Sequence, residues 1–158
     1  MNRTRFGNRM LFQRTLMRSF FVLLSTAVQA QDFSTPEAAF REHQAAWAAK
    51  NIERFLATIS FRQEALEHLR RTSPQDAERE QAVRELAMKG EADLRTQLQT
   101  KGFVATDLAT CEVVTRWQDS ADQVRLPLIC AGPRRGTVSF PIRLMRLPEG
   151  WRIVRPVR

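Results

Sequence analysis

The chain has 158 residues, of which 43% are hydrophobic, and a formal net charge of +8. This length fits one domain, and the composition excludes a collagen-like, disordered or cysteine-framework protein. A charge this basic is typical of proteins that bind nucleic acid. However, residues 1–30 contain five arginines and no acid, which leaves 20 basic and 17 acidic residues in the rest of the chain. We therefore expect no nucleic-acid partner.

Residues 1–30 are predicted to be a secretory signal peptide. An arginine-rich start precedes the apolar residues 20–28, and small residues end the segment at Ala30. The apolar stretch is much shorter than the ~20 residues that span a bilayer, so an uncleaved membrane anchor is the less favoured alternative. Translation begins at Met1 or at Met10. Cleavage after Ala30 would give a periplasmic or secreted protein.

The two cysteines, Cys111 and Cys130, both lie beyond the predicted signal peptide. Neither belongs to a CxxC or Cys/His pattern with metal-ligand spacing, so we expect no metal and no other cofactor. In an oxidising compartment, two such cysteines most often form a structural disulfide. Two buried thiols are the alternative.

Residues 31–158 are predicted to form a single α+β domain, with helices over residues 31–102 and an antiparallel sheet over residues 103–158. Apolar residues recur at helical spacing through the first part. Four positions carry residues that favour helix N-caps: Thr35, Asn51, Ser60 and Ser73. The last of them precedes a long, charged segment, which predicts one helix from Pro74 to about Thr100.

From Cys111 onwards the apolar residues alternate with a period of two, which is typical of half-buried strands. Turn-forming residues divide this region into four strands, and the short joints indicate an antiparallel meander. One hairpin places Leu128 opposite Phe140. One face of the resulting sheet is apolar, which predicts that the N-terminal helices pack on that face.

The first hairpin is predicted to be centred on residues 120–121. In that register Cys111 lies opposite Cys130, so the hairpin and the disulfide predictions agree. The same register places Trp117 opposite Val124, on the inner face of the sheet.

Two stretches resemble the nuclear-transport-factor-two-like, or SnoaL-like, superfamily. Residues 35–56, TPEAAFREHQAAWAAKNIERFL, resemble its opening helices, and residues 143–154, RLMRLPEGWRIV, are similar to its final hairpin. The resemblance implies a cone-like fold in which a curved antiparallel sheet wraps the first helix and can leave a pocket. Members include isomerases, dehydratases, transport factors and non-catalytic exported proteins, so the fold does not determine the function.

The candidate ligand-binding residues are aromatic. His43 and Trp47 are spaced i, i+4 and are predicted to face the pocket from the first helix. Trp117 and Trp151 are predicted on the inner face of the sheet. For all four residues, the alternative to ligand binding is a purely structural role in the core or at its edge.

Catalytic members of the superfamily use an Asp–His or a Tyr–Asp set in the pocket. This chain has no Tyr, and the predicted apolar face of its strands carries no Asp, Glu or His. We therefore predict no catalytic residues and favour a protein that is not an enzyme.

Arg116, Arg125 and Arg143 are predicted to lie side by side on the outer face of the sheet. Like charges in adjacent positions are unfavourable unless they are solvated or paired. Such a row is a candidate contact for an anionic surface, such as a lipid headgroup or a cell-wall polymer. Solvated arginines whose stems cover apolar neighbours are the alternative.

These features favour an exported, non-catalytic binding or accessory module of the bacterial cell envelope. Its partner is expected to be an envelope protein or a small ligand, and the chain a monomer or homodimer. Two alternatives stay open: a pocket protein for a small apolar ligand, and an isomerase- or dehydratase-like enzyme that uses the cavity of the cone.

Overall fold

The computed structural model describes residues 31–103, 108–131 and 136–156. The predicted signal peptide, including Met10 and Ala30, lies outside the described residues. Within the described ranges, no helix is long and apolar enough to cross a membrane.

Helices form the first part of the described chain. They are α1 (Pro36–Ala48), α2 (Ile52–Leu56), α3 (Phe61–Thr72), α4 (Pro74–Ala77) and α5 (Glu80–Lys101). Three of the predicted N-caps are confirmed, because the side chains of Thr35, Asn51 and Ser60 each accept a backbone N–H bond three residues on. Ser73 precedes α4 but makes no such bond.

The long helix predicted from Pro74 to Thr100 is wrong in one respect, because the chain breaks at Arg79. That residue has an extended backbone (φ −93°, ψ 103°), which separates α4 from α5. The break turns the chain so that α5 packs along α3. Gly90 lies within α5 against Phe61, where a Cβ atom would stand 3.7 Å from the ring.

The second part is an antiparallel sheet with a short 3₁₀ turn (Leu108–Thr110) before it. Its strands are β1 (Glu112–Val113), β2 (Trp117–Ser120), β3 (Gln123–Ala131), β4 (Thr137–Leu147) and β5 (Gly150–Val154). The order is β1–β3–β4–β5, and β2 pairs with another part of β3. The predicted α+β class, with helices packed on a curved antiparallel sheet, is confirmed. The number of strands is five rather than four, because residues 114–116 interrupt the first predicted strand.

The predicted register holds in both hairpins near their cysteine ends. Glu112 pairs with Ile129, and Leu128 pairs with Phe140. The disulfide between Cys111 and Cys130 is present, with the two Cα atoms 4.0 Å apart. Both cysteines are therefore bonded, and the alternative of two free thiols is wrong.

The register differs at the turn end of the first hairpin. Trp117 pairs with Arg125 instead of Val124, and a β-bulge follows between Gln118 and Ser120. Because a slip of one residue moves a strand's side chains to the opposite face, Trp117 lies outside and its side chain is 48% exposed. The prediction that Trp117 lies on the inner face is therefore wrong.

The core lies between α1 and the inner face of the sheet. Alternate residues of β3 are fully buried there: Val124, Leu126, Leu128 and Cys130. Ala39 and Phe40 of α1 pack against them, together with Trp151 and Ile153 of β5. The alternate apolar residues of β3 therefore pack against the apolar stripe of α1, as predicted.

The segment after α2 is bound to the edge of β5. Ile59 forms a parallel bridge with Ile153. The N–H of Ile153 donates to the carbonyl of Thr58 at 2.9 Å, and the N–H of Ser60 donates to the carbonyl of Ile153 at 2.9 Å. This pairing fixes Thr58 at a defined place beside α1.

Phe33, near the start of the described chain, contacts the turn that opens β5. Its carbonyl accepts the N–H of Trp151 at 2.8 Å. Gly150 has a φ of +107°, and a Cβ atom on it would stand 2.6 Å from the carbonyl oxygen of Phe33. Only glycine adopts this backbone conformation easily and leaves room for the contact.

Candidate functional site

A pocket of about 1010 Å³ lies between α1–α3 and the sheet. This volume is at the upper end of the range of small-molecule sites, roughly 300–1,000 Å³. Its lining residues are His43, Trp47, Phe55, Glu67, Arg70, Arg71, Leu108, Arg125, Phe140, Pro141, Ile142, Arg143, Ile153, Val154, Arg155 and Pro156.

Two of the four predicted ligand-binding residues line this pocket. His43 and Trp47 face it from α1, as their i, i+4 spacing suggests. Trp151 is buried in the core between α1 and the sheet and is not part of the lining. Trp117 is outside the pocket because of the register difference in the first hairpin. Whether His43 and Trp47 bind a ligand stays a prediction.

The imidazole of His43 is held in one orientation and is only 4% exposed. It stacks on Phe55, with 4.3 Å between the ring centroids. Its Nδ1 lies 2.6 Å from the hydroxyl oxygen of Thr58, and that hydroxyl donates its own hydrogen to the carbonyl of Phe55 at 2.6 Å. The threonine oxygen is therefore an acceptor, so Nδ1 carries the proton and Nε2 keeps a lone pair.

Burial and, to a smaller extent, the positive charge of Arg155 together lower the pKa of His43 from 6.5 to about 3. An imidazolium in this place would lose hydration without gaining an anionic partner. His43 is consequently neutral at physiological pH, and Nε2 can accept a hydrogen bond.

An aromatic cluster supports this wall of the pocket. Trp47 makes an edge contact with Phe103 at 4.9 Å between centroids and a tilted contact with Phe55 at 5.4 Å. Phe55 and Phe103 also meet edge to face at 5.5 Å. Such pairs add to the free energy of burial and limit ring rotation.

Arginine side chains surround the apolar lining. We call Arg70, Arg71, Arg125, Arg143 and Arg155 the arginine rim. These side chains are exposed or half-buried, whereas Trp47, Phe55 and Ile153 are buried. The charged groups therefore lie toward the mouth of the pocket and the aromatic groups toward its floor.

Among the described residues, carboxylates pair with Arg125, Arg143 and Arg155 of the arginine rim. Glu64 accepts two bonds from the guanidinium of Arg155, at 2.9 and 2.7 Å, and a third from its backbone N–H at 2.9 Å. Glu67 pairs with Arg143. Asp119 binds Arg125, which raises the pKa of that guanidinium, and Arg125 in turn lowers the pKa of Asp119.

The predicted row of three arginines is only partly formed. Arg125 lies opposite Arg143 across the β3–β4 pairing, as predicted. Arg116 is not beside them, because the register difference places Trp117 opposite Arg125, with the guanidinium 5.5 Å from the centre of its ring. Arg116 instead lies 3.6 Å from Glu37 of α1. Binding of an anionic surface by this row stays a prediction.

The sequence analysis missed the contribution of α3 to the site. Glu64, Glu67, Arg70 and Arg71 occur at spacings of three and four, which places them along one side of a helix. That signal was present, but the partners of Glu64 and Glu67 are Arg155 and Arg143, which lie far along the chain. Among the described residues, no group of three His, Cys, Asp or Glu side chains could hold a metal ion.

No protein-family model matches the sequence, and no curated protein matches it. Among solved structures, the chain is similar to an NTF2-like protein of Campylobacter jejuni, described as a candidate transpeptidase and determined at 2.00 Å resolution. The TM-score is 0.38 and the identity 6%, and the match covers 77% of this chain and 100% of that chain.

Proposed function

We propose that the protein is an exported binding module of the cell envelope whose pocket holds a small, largely apolar ligand. The observation that carries the proposal is the pocket of about 1010 Å³ with aromatic and aliphatic walls. Removing apolar surface from water contributes roughly 25 cal/mol per Å², so a ligand that covers these walls gains its affinity chiefly from burial.

The state of His43 supports binding rather than acid–base catalysis. A general acid or base works best when its pKa lies near the operating pH. The pKa of His43 is about 3, and its Nδ1 bonds a hydroxyl rather than a carboxylate. The residue is therefore suited to accept a hydrogen bond from a bound ligand through Nε2.

Two observations support export. Residues 1–30 have the sequence pattern of a secretory signal peptide. The Cys111–Cys130 disulfide belongs to a class of bond that persists in oxidising compartments and is rare in the cytosol. An exported protein with such a pocket is suited to carry a ligand in the cell envelope, or to present that ligand to an envelope protein.

The test is binding of N-phenyl-1-naphthylamine, an uncharged dye that fluoresces in apolar surroundings, to the chain beginning at Gln31. Ile142→Trp fills the pocket, because Ile142 is part of its lining. Ile129→Trp is the matched control, because Ile129 is 43% exposed on the same sheet and outside the pocket. Circular dichroism verifies that both variants are folded.

We expect saturable binding of one dye per chain by the wild type and by Ile129→Trp, and its loss in Ile142→Trp. Equal binding by both variants would place the dye elsewhere and contradict the proposal. Absence of binding by the wild type would contradict it as well.

A further inference from the structure

The charge around the pocket indicates the chemistry of its ligand. We propose that the pocket takes an anionic amphiphile, with an apolar chain on the aromatic floor and an acidic head at the arginine rim. This inference rests on the proposed function and deepens it by naming the ligand class.

The first argument is the balance of charge. Among the described residues, Glu64, Glu67 and Asp119 neutralise three of the guanidinium groups that line the pocket. The guanidinium of Arg70 has no carboxylate partner among those residues, so its positive charge is in excess at the mouth. A mouth with this charge attracts an anion and repels a cation of the same shape.

The second argument concerns Arg70. No carboxylate of the described residues lies within salt-bridge distance of it, although it borders the pocket and is exposed. It lies near the C-terminal end of α3, where the helix dipole favours a positive charge. Arg70 is thus a stable cation whose five N–H donors can bind an acidic head, which guanidinium groups commonly do in a bidentate manner.

The third argument is the separation of polar and apolar surfaces. Trp47, Phe55 and Ile153 are buried, whereas the arginines are nearer to solvent. A ligand that fills this site must therefore be apolar along most of its length and charged at one end. Burial of the apolar chain gives such a ligand its affinity, and the charged head gives it selectivity.

The test compares ligands that share one tail and differ in the head. Dodecanoate, dodecyl phosphate, dodecanol and dodecylammonium, each below its micelle concentration, displace N-phenyl-1-naphthylamine from the chain beginning at Gln31. We expect dodecanoate or dodecyl phosphate to bind at least about tenfold more tightly than dodecanol, and dodecylammonium to bind most weakly. The ratio of the two anions distinguishes a carboxylate from a phosphate head, and either preference supports the proposal.

Variants locate the head. Arg70→Gln is expected to weaken binding of the preferred anion about fivefold and to leave dodecanol unchanged. Arg41 is exposed on α1 and lies outside the pocket lining. Arg41→Gln therefore removes the same charge and should change neither the binding of the anion nor that of dodecanol. Added salt should reduce the difference in affinity between the anion and dodecanol, because salt screens an exposed charge pair.

The outcomes separate the two proposals. If dodecanol binds as tightly as both anions, the arginine rim does not bind the acidic head, and this inference is overturned while the apolar pocket stands. If no member of the series displaces the dye that the wild type binds, the inference is also overturned. If the dye itself does not bind, the proposed function is overturned with it.

Discussion

The hydrogen bond between His43 and Thr58 joins α1 to the segment bound along β5. Its length is 2.6 Å, and both side chains are buried. Since Thr58 is held by the backbone bonds around Ile153, the orientation of the imidazole depends on the sheet as well as on its own helix. A neutral ring is stable in this place, and a charged ring is not.

This relationship predicts a pH dependence of stability. The folded pKa of about 3 lies below the unfolded value of about 6.5, so the unfolded chain binds the proton first as the pH falls. The stabilisation is complete above about pH 6.5 and decreases progressively towards pH 3. We expect the free energy of unfolding to be about 2–3 kcal/mol lower at pH 4.5 than at pH 7.5.

Urea unfolding at the two pH values measures this effect, with His43→Phe as the test variant. The acid-labile ion pairs also contribute in this range, so the comparison is between slopes rather than absolute stabilities. His68→Gln replaces the other histidine and retains His43. This variant should therefore keep the contribution of His43 to the pH dependence of the free energy of unfolding. Identical slopes for the wild type and His43→Phe would show that His43 is not the responsible group.

The disulfide provides the second prediction. In the chain-entropy model, closing a loop of about 20 residues is worth roughly 3 kcal/mol. Reduction should therefore lower the urea midpoint substantially, and Cys111→Ala combined with Cys130→Ala should reproduce that loss. The double variant should not respond to reductant. An unchanged midpoint in a sample whose two thiols react quantitatively would disprove the prediction.

Gly150 gives the third prediction. Gly150→Ala adds a Cβ atom against the carbonyl of Phe33 at a positive φ, and we expect a loss of about 2–4 kcal/mol. Gly136→Ala is the control, because no described residue other than its chain neighbours has an atom within 4 Å of the added carbon. Thermal unfolding of the two variants measures the difference. Comparable stabilities would mean that the contact between Phe33 and the turn contributes little.

The fourth prediction concerns processing. Expression of the full chain in a bacterial host should give periplasmic protein whose first residue is Gln31, as measured by intact mass. Replacing Ala30 by Pro should block cleavage while leaving the mature chain unchanged. An intact N-terminus in the membrane fraction of the wild type would favour the uncleaved anchor instead.

Local chemistry explains which elements the sequence predicts well. The caps at Thr35, Asn51 and Ser60 each depend on a bond to an N–H three residues away, so a short pattern contains the information. The alternation in β3 reflects burial of every second residue. The pairing of the two cysteines follows from the symmetry of a hairpin.

The missed features depend on contacts between distant residues. The bulge at Gln118 and the break at Arg79 have no distinctive local composition. The pairing of Glu64 with Arg155 joins residues 91 positions apart, and Thr58 reaches His43 only because the chain pairs with β5. The arginine rim assembles from α3, β3, β4 and the residue that follows β5, so its members could not be grouped before the fold was known.

The contact between Phe33 and Trp151 has a consequence for the timing of folding. Strand β5 supplies Trp151 and Ile153 to the core that α1 covers, so the first helix lacks one of its packing partners until β5 has been synthesised. Contacts of such high sequence separation are slow to form, because much of the chain must be ordered before they stabilise it. A chain that is threaded through a membrane from its N-terminus would therefore cross before its core can close, and it would fold only on the far side.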